Sequence, residues 1–236
     1  MLKYKTIWTL FITMIYIGVH AQENTIKTGL TDAVLGHFNL NYERVINEKQ
    51  SLAIKVGYWK PTVSPLITED LLTPSAYTMQ DEKGGILASM EYRFYMGRNE
   101  APQGLYIAPY LRYINQAAMY TDEIDANLFN VDTHLNTLGV GAQIGYQVII
   151  GDAFTLDFFF FGAGVDHYNT KLVYTLQQPQ SGFDYSTITD DVSAVFEDIN
   201  YLHSRLKNKV NTDNLTTKLP FLFPGFRMGI SMGVAF

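Results

Sequence analysis

Apolar and polar residues alternate with a period of two along most of this chain, most cleanly at its C-terminal end. Counting back from Phe236, Val234, Met232, Ile230, Met228 and Phe226 share one parity. Ala235, Gly233, Ser231, Gly229, Arg227 and Gly225 share the other. Successive residues of a strand point to opposite faces, so this segment predicts a strand with one apolar face and one small or polar face. The pattern recurs over 85–96, where Ile86, Ala88, Met90, Tyr92, Phe94 and Met96 oppose Ser89, Glu91, Arg93 and Tyr95. In 51–60, Leu52, Ile54, Val56 and Tyr58 oppose Ser51, Ala53, Lys55 and Gly57. In 36–46, Phe38, Leu40, Tyr42 and Ile46 oppose Asn39, Asn41 and Glu43, with Arg44 interrupting the apolar set. Segments 105–119 and 133–149 alternate in the same way, placing Tyr106, Tyr110 and Arg112, and Gly139, Gly141, Gln143, Gly145 and Gln147, on the polar parity. Two segments are less regular. Residues 25–33 are short, with Ile26 and Leu30 against Lys27 and Gly29, and 154–168 begin with four phenylalanines, Phe158–Phe161. The parity of 154–168 rests on aligning Gly162 and Gly164 with the inward glycines elsewhere.

These segments predict an all-β protein: an eight-stranded antiparallel transmembrane β-barrel, apolar outside and polar inside. In lipid a sheet must close, because an open edge leaves backbone groups unpaired. Barrels of this kind have short turns at one end and long loops at the other. Short connections at 47–50, 97–104 and 150–153 alternate with longer ones at 60–84, 120–132 and 169–219, after a tight turn near Val34–Leu35. The last loop carries a helical signal. Val192, Val195, Phe196, Ile199, Leu202 and Leu206 fall at helical spacing. Acids lie early and Arg205, Lys207 and Lys209 late, as a helix dipole favours. An amphipathic helix over about 189–209, capped by Thr189, is expected as an insertion in the last outer loop. Its stripe would cover the barrel rim or neighbouring loops, or else a protein partner at 169–219 or the outer leaflet.

The N-terminus changes the setting. Lys3 and Lys5 precede the apolar run Ile7–Val19, and Val19-His20-Ala21 offers a cleavage site before Gln22. Residues 1–21 therefore read as a signal peptide and 22–236 as the barrel domain. Removing 1–21, with its two lysines and no acid, moves the formal charge from −6 to −8. That acidity argues against nucleic acid. No cysteine is present, which excludes disulfides, thiolate metal sites and lipoprotein acylation. Aromatic content of 14% beside only 17% charge suits a barrel with rings at both membrane interfaces.

The terminal stretch from Met228 to Phe236 resembles the small opacity-type outer-membrane β-barrel proteins of Gram-negative bacteria. Asn41-Tyr42-Glu43-Arg44 and Leu105-Tyr106-Ile107-Ala108-Pro109-Tyr110 are similar to a barrel family of unassigned function. The resemblance implies that Phe236, Val234 and Met232 form an insertion signal read by the barrel-insertion machinery. It also implies location in the cell outer membrane, in contact with its lipid.

Catalytic chemistry is hard to find. There is no phosphate-binding glycine loop, Gly-x-Ser-x-Gly elbow or paired-histidine zinc motif, and no cofactor or metal is expected. His167 beside Asp166, with Ser186 or Ser204, is the one arrangement that would suit a lipid A-modifying enzyme. The inward charges say more. Lys27, Glu43, Lys55, Glu91, Arg93, Arg112 and Arg227, with Asp166, share the inward parity, and eight strands leave an interior that side chains can fill. Buried charges must pair. Glu43 and Glu91 are expected as the main acceptors, with Glu43 roughly opposite Lys55. The reading is a non-enzymatic barrel with a filled lumen, displaying loops for adhesion, partner binding or envelope integrity. A small-solute channel and a lipid A-modifying enzyme are the alternatives.

Overall fold

The computed structural model turns this alternation into a closed ring. It describes residues 23–34, 36–59, 78–151, 153–178, 180–194, 196–197 and 199–236, with 78–83 as backbone only. The expected signal peptide and loop residues 60–77 lie outside these. Nine strands form in the order β1 (Asn24–Gly29), β2 (His37–Asn47), β3 (Gln50–Trp59), β4 (Thr78–Met96), β5 (Gly104–Ile124), β6 (Asn127–Ile150), β7 (Phe154–Leu176), β8 (Lys207–Val210) and β9 (Leu215–Ala235). Three short helices interrupt them: α1 (Leu30–Val34), α2 (Thr189–Ala194) and α3 (Asn200–His203). Strands β1–β7 and β9 pair antiparallel around a ring that closes β9 onto β1, and β8 adds to the upper edge of β9. At the closure Asn24 N donates to Phe236 O (3.0 Å), and Phe236 N to Asn24 O (2.9 Å).

The expected strands are all present, but several run farther. Residues 120–132, expected as a loop, are strand: β5 and β6 stay in register up to a two-residue turn at Asp125–Ala126. β7 continues to Leu176, and β9 begins at Leu215, so the last connection is shorter than 169–219. The single helix expected at 189–209 is instead α2, α3 and the strand β8. Residues 207–210 pair with Leu215–Lys218, because the otherwise open edge of β9 offers them a ladder. Thr189 is the first residue of α2 rather than its cap, and its hydroxyl is buried without a partner. At the other end of the chain, Leu30–Val34 are helical, where residues 30–33 were expected to end the first strand and Val34 to begin a tight turn.

Among the described residues, β9 has no strand beside it between Lys218 and Ser231 on its β1 side. That edge is managed residue by residue. Thr31 Oγ1 accepts from Ile230 N (3.2 Å), and the Tyr201 hydroxyl accepts from Leu222 N (3.0 Å). Pro220 and Pro224, of the same parity, have no N–H to satisfy there.

The outward face is apolar and exposed around the ring, and it stops being apolar within one pleat step on β5, β6 and β7. β5 passes from Tyr113 to Asn115, β6 from Leu138 to Asn136 and β7 from Val165 to His167. The register pairs Tyr113 with Leu138 and Leu138 with His167. Above this level the outward residues are largely polar, and Asn115 Nδ2 donates to Asn136 Oδ1 (2.7 Å) across β5 and β6. The inward face does the reverse. Above the ring it becomes apolar, and Phe129, Val131, Leu172, Tyr174, Leu176 and Leu215 form a buried cluster with Tyr185, Ile188 and Val192 from the last connection. This second core explains the short helix α2. Ile188 and Val192 dock on the sheet, while Ile199, expected in the same stripe, is half exposed.

Candidate functional site

The ring interior is the most organised polar assembly in the molecule. Its side chains come from alternate positions of all eight strands of the ring, so the site is a direct consequence of the period-two pattern. At its centre Lys27 Nζ, with three protons to donate, has three acceptors: Glu43 Oε2 (2.7 Å), Gln147 Oε1 (2.6 Å) and Asp157 Oδ2 (2.8 Å). Arg93 meets Asp157 Oδ2 through Nη1 (2.7 Å) and Glu91 Oε2 through Nη2 (2.7 Å), with Glu43 Oε2 at 3.4 Å. Arg227 Nη2 donates to Glu91 Oε1 (2.9 Å). Hydroxyls complete the acceptors: Tyr95 (2.6 Å) and Ser51 (2.5 Å) donate to Glu43 Oε1, and Tyr106 to Asp157 Oδ1 (2.7 Å). The Arg93 guanidinium also lies over the Tyr106 ring, 4.4 Å from its centroid. Lys27, Glu43, Glu91, Arg93 and Asp157 are all essentially inaccessible to solvent.

A second layer lies nearer the long-strand end. Arg112 makes a bidentate pair with Asp166, from β5 to β7. Lys55 Nζ reaches Asp32 Oδ2 of α1 at 3.3 Å. Between the layers is a cavity of about 80 Å³ bordered by Asp32, Lys55, Ser89, Arg112, Phe159 and Arg227. It has room for a few water molecules. Among the described residues, five inward cations (Lys27, Lys55, Arg93, Arg112, Arg227) therefore meet five carboxylates (Asp32, Glu43, Glu91, Asp157, Asp166).

Glycines make room for this packing. A Cβ at Gly145 would collide with the Tyr106 ring, and one at Gly139 with the Asp166 carboxylate. The inward glycines are thus the complement of large polar side chains on neighbouring strands.

The residues singled out from sequence are distributed as follows. Glu43, Glu91, Arg93 and Arg227 belong to the lower layer, and Lys55 and Arg112 to the upper. The expected Glu43–Lys55 pair is not made. An irregularity between Val45 and Asn47 sets Glu43 opposite Ala53, and Lys55 opposite Asn41. Lys55 sits higher and turns to Asp32 instead. Two acceptors were missed. Asp32 lies in a segment read as strand. Strict alternation counted back from an inward Gly162 through the four phenylalanines would turn Asp157 outward. A bulge intervenes: the register shifts between Phe159 and Gly162, and both Phe160 and Phe161 face outward while Phe159 is buried. Four like side chains in a row, with only three needed for alternation, were the available signal.

His167 and Asp166, weighed for the alternative enzyme reading, fall on opposite faces of β7. Asp166 points inward and is engaged by Arg112, whereas His167, the next residue of the strand, points out and is exposed. Among the described residues no cluster of three metal-ligating side chains forms. Phe236, Val234 and Met232 line the closure strand, Val234 opposite both Ile26 and Phe154.

A family model described as a protein of unknown function (DUF3575) matches residues 7–183, about three-quarters of the chain. The chain belongs to the DUF3575 family. No curated protein and no solved structure matches it. The matched region of this DUF3575 chain includes Lys27, Glu43, Lys55, Glu91, Arg93, Arg112, Asp157 and Asp166, while Arg227 and the C-terminal strand lie beyond it.

Proposed function

We propose that this protein is an outer-membrane β-barrel of the small opacity type, with a side-chain-filled lumen. Its role is non-enzymatic: it displays its long-strand end for adhesion, partner binding or envelope integrity. The observation that carries this reading is that the outward face changes from apolar to polar within one pleat step on the adjacent strands β5, β6 and β7. A soluble barrel has no reason to keep half-exposed Ile54, Val56, Met90, Val140, Val165 and Met228 on its outside. A bilayer supplies one, and it supplies a sharp boundary. The interior supports a plug more than a pore. Its ten opposite charges neutralise one another and leave only a cavity for a few waters, so conductance would require breaking buried pairs.

The experiment is fractionation of cells expressing the full chain, followed by electrophoresis with and without boiling. Recovery in the outer-membrane fraction with heat-modifiable mobility is expected, and planar-bilayer recordings should show no steady solute-sized conductance. Recovery in the soluble periplasm would overturn the reading, and stable channels would move the channel alternative to first place.

A further inference from the structure

On the outward face beyond the apolar level, four nitrogen-bearing side chains stand side by side on four adjacent strands. His134 of β6 is directly opposite Lys171 of β7, Lys171 is opposite Lys218 of β9, and Lys218 is opposite Lys207 of β8. All four are exposed. Adjacent strands lie about 4.8 Å apart, so the row is roughly 15 Å wide. Lys209, on the same face of β8, adds a further charge one step above. Like charges directly opposite one another in a sheet destabilise it. Among the described residues no carboxylate forms an ion pair with any member of the row. The nearest acid on that face, Asp132, is one step farther from the apolar belt.

The position of the row says what would neutralise it. His134 is four residues past Leu138, and Lys218 four past Leu222, residues at the edge of the apolar belt on their strands. At about 3.3 Å per residue and a barrel tilt near 40°, the backbone of the row lies roughly 10 Å beyond the belt. A lysine side chain reaches back across much of that distance. Between row and belt the outward residues Asn136 and Asn169, in register with Pro220, carry no acid. We propose that this row is a docking site for phosphate-bearing headgroups of anionic lipid in the leaflet that surrounds the long-strand end. The inference rests on the membrane reading above. A chain of net charge −6 that gathers lysines on this face, just outside an apolar wall, concentrates its attraction where lipid phosphates stand.

The test uses the full barrel domain refolded into phosphatidylcholine nanodiscs doped with phosphatidylglycerol, with lipid retention on the released protein read by native mass spectrometry. Each lysine near an anionic surface contributes about a fivefold preference. The wild type should therefore retain phosphatidylglycerol over phosphatidylcholine by roughly tenfold or more, declining with salt. The triple variant Lys171→Gln/Lys207→Gln/Lys218→Gln, altered only at exposed positions, should insert normally and lose most of that preference. The corresponding triple Lys→Arg variant should keep it. Equal retention of both lipids by the wild type, or an unchanged preference in the Gln variant, overturns the inference while leaving the membrane reading intact. Failure of the wild type to insert into any bilayer overturns both, and the insertion assay tells the two outcomes apart.

Discussion

Arg93 Nη1 lies 2.7 Å from Asp157 Oδ2, joining β4 to β7 across the inside of the ring. Lys27 converges on the same oxygen, so one carboxylate holds two cations that have no access to water. Replacing Asp157 with Asn should therefore destabilise the barrel by about 3–5 kcal/mol, the range for breaking a buried pair from one side. Glu91→Ala should do the same through Arg93 and Arg227. Urea unfolding in detergent micelles, followed by electrophoretic mobility, checks both. A loss below about 1 kcal/mol for either would show that the interior is hydrated and its ion pairs screened.

The β7 bulge yields an unusual expectation. Deleting one of the four phenylalanines 158–161 leaves Asp157 and Gly162 on the same inward parity with strict alternation between them. That deletion should be tolerated and preserve the folded, heat-modifiable species. Inserting a fifth phenylalanine should not be: alternation would still turn Asp157 inward, but β7 would then exceed its partner by two residues, so Asp157 slides a full step from Lys27 and Arg93 or a second extra residue enters the strand. The two mobilities compared on one gel decide the matter.

Phe236 closes the ring through its backbone, which exchanges hydrogen bonds with Asn24. Its side chain is partly exposed. A Phe236→Ala variant keeps the backbone pair, so the purified protein should refold in detergent much as the wild type does. Its level in the outer membrane of expressing cells should fall severalfold if the ring is read by insertion machinery. Equal membrane levels would remove the signal role.

The β5–β6 turn holds Asp125 and Ala126 at φ of 50° and 59°. Both central residues of such a two-residue hairpin are left-handed, a conformation that costs a residue with a Cβ on the order of 1 kcal/mol. Ala126→Gly should raise the stability of the long-strand end by up to about 1 kcal/mol. Slower amide hydrogen exchange in residues 120–132 is the measurement, and faster exchange there would contradict it.

The sequence by itself determined the number of strands in the ring, the facing of nearly every side chain in it and the inward grouping of charge. Those properties follow from a period of two, which is local and survives whatever the strands pair with. Glu91 and Arg93 illustrate this: two residues apart on one strand, they face the same way in any register, and they bond. Tertiary structure alone decided which charges meet. The Glu43–Lys55 expectation failed because the hairpin register sets Glu43 opposite Ala53, a full pleat step away from Lys55. Asp157 was hidden because a bulge reverses parity, and a run of identical phenylalanines carries no mark of where the extra residue lies. Helical spacing in 189–209 is real, yet Ile188 and Val192 found a sheet face to bury against, and Lys207–Val210 found an edge to pair with. Local preference for a short helix is weak beside either of these. Bonding partners, bulges and docking faces depend on residues far apart in the chain, so they emerge only when the ring is closed.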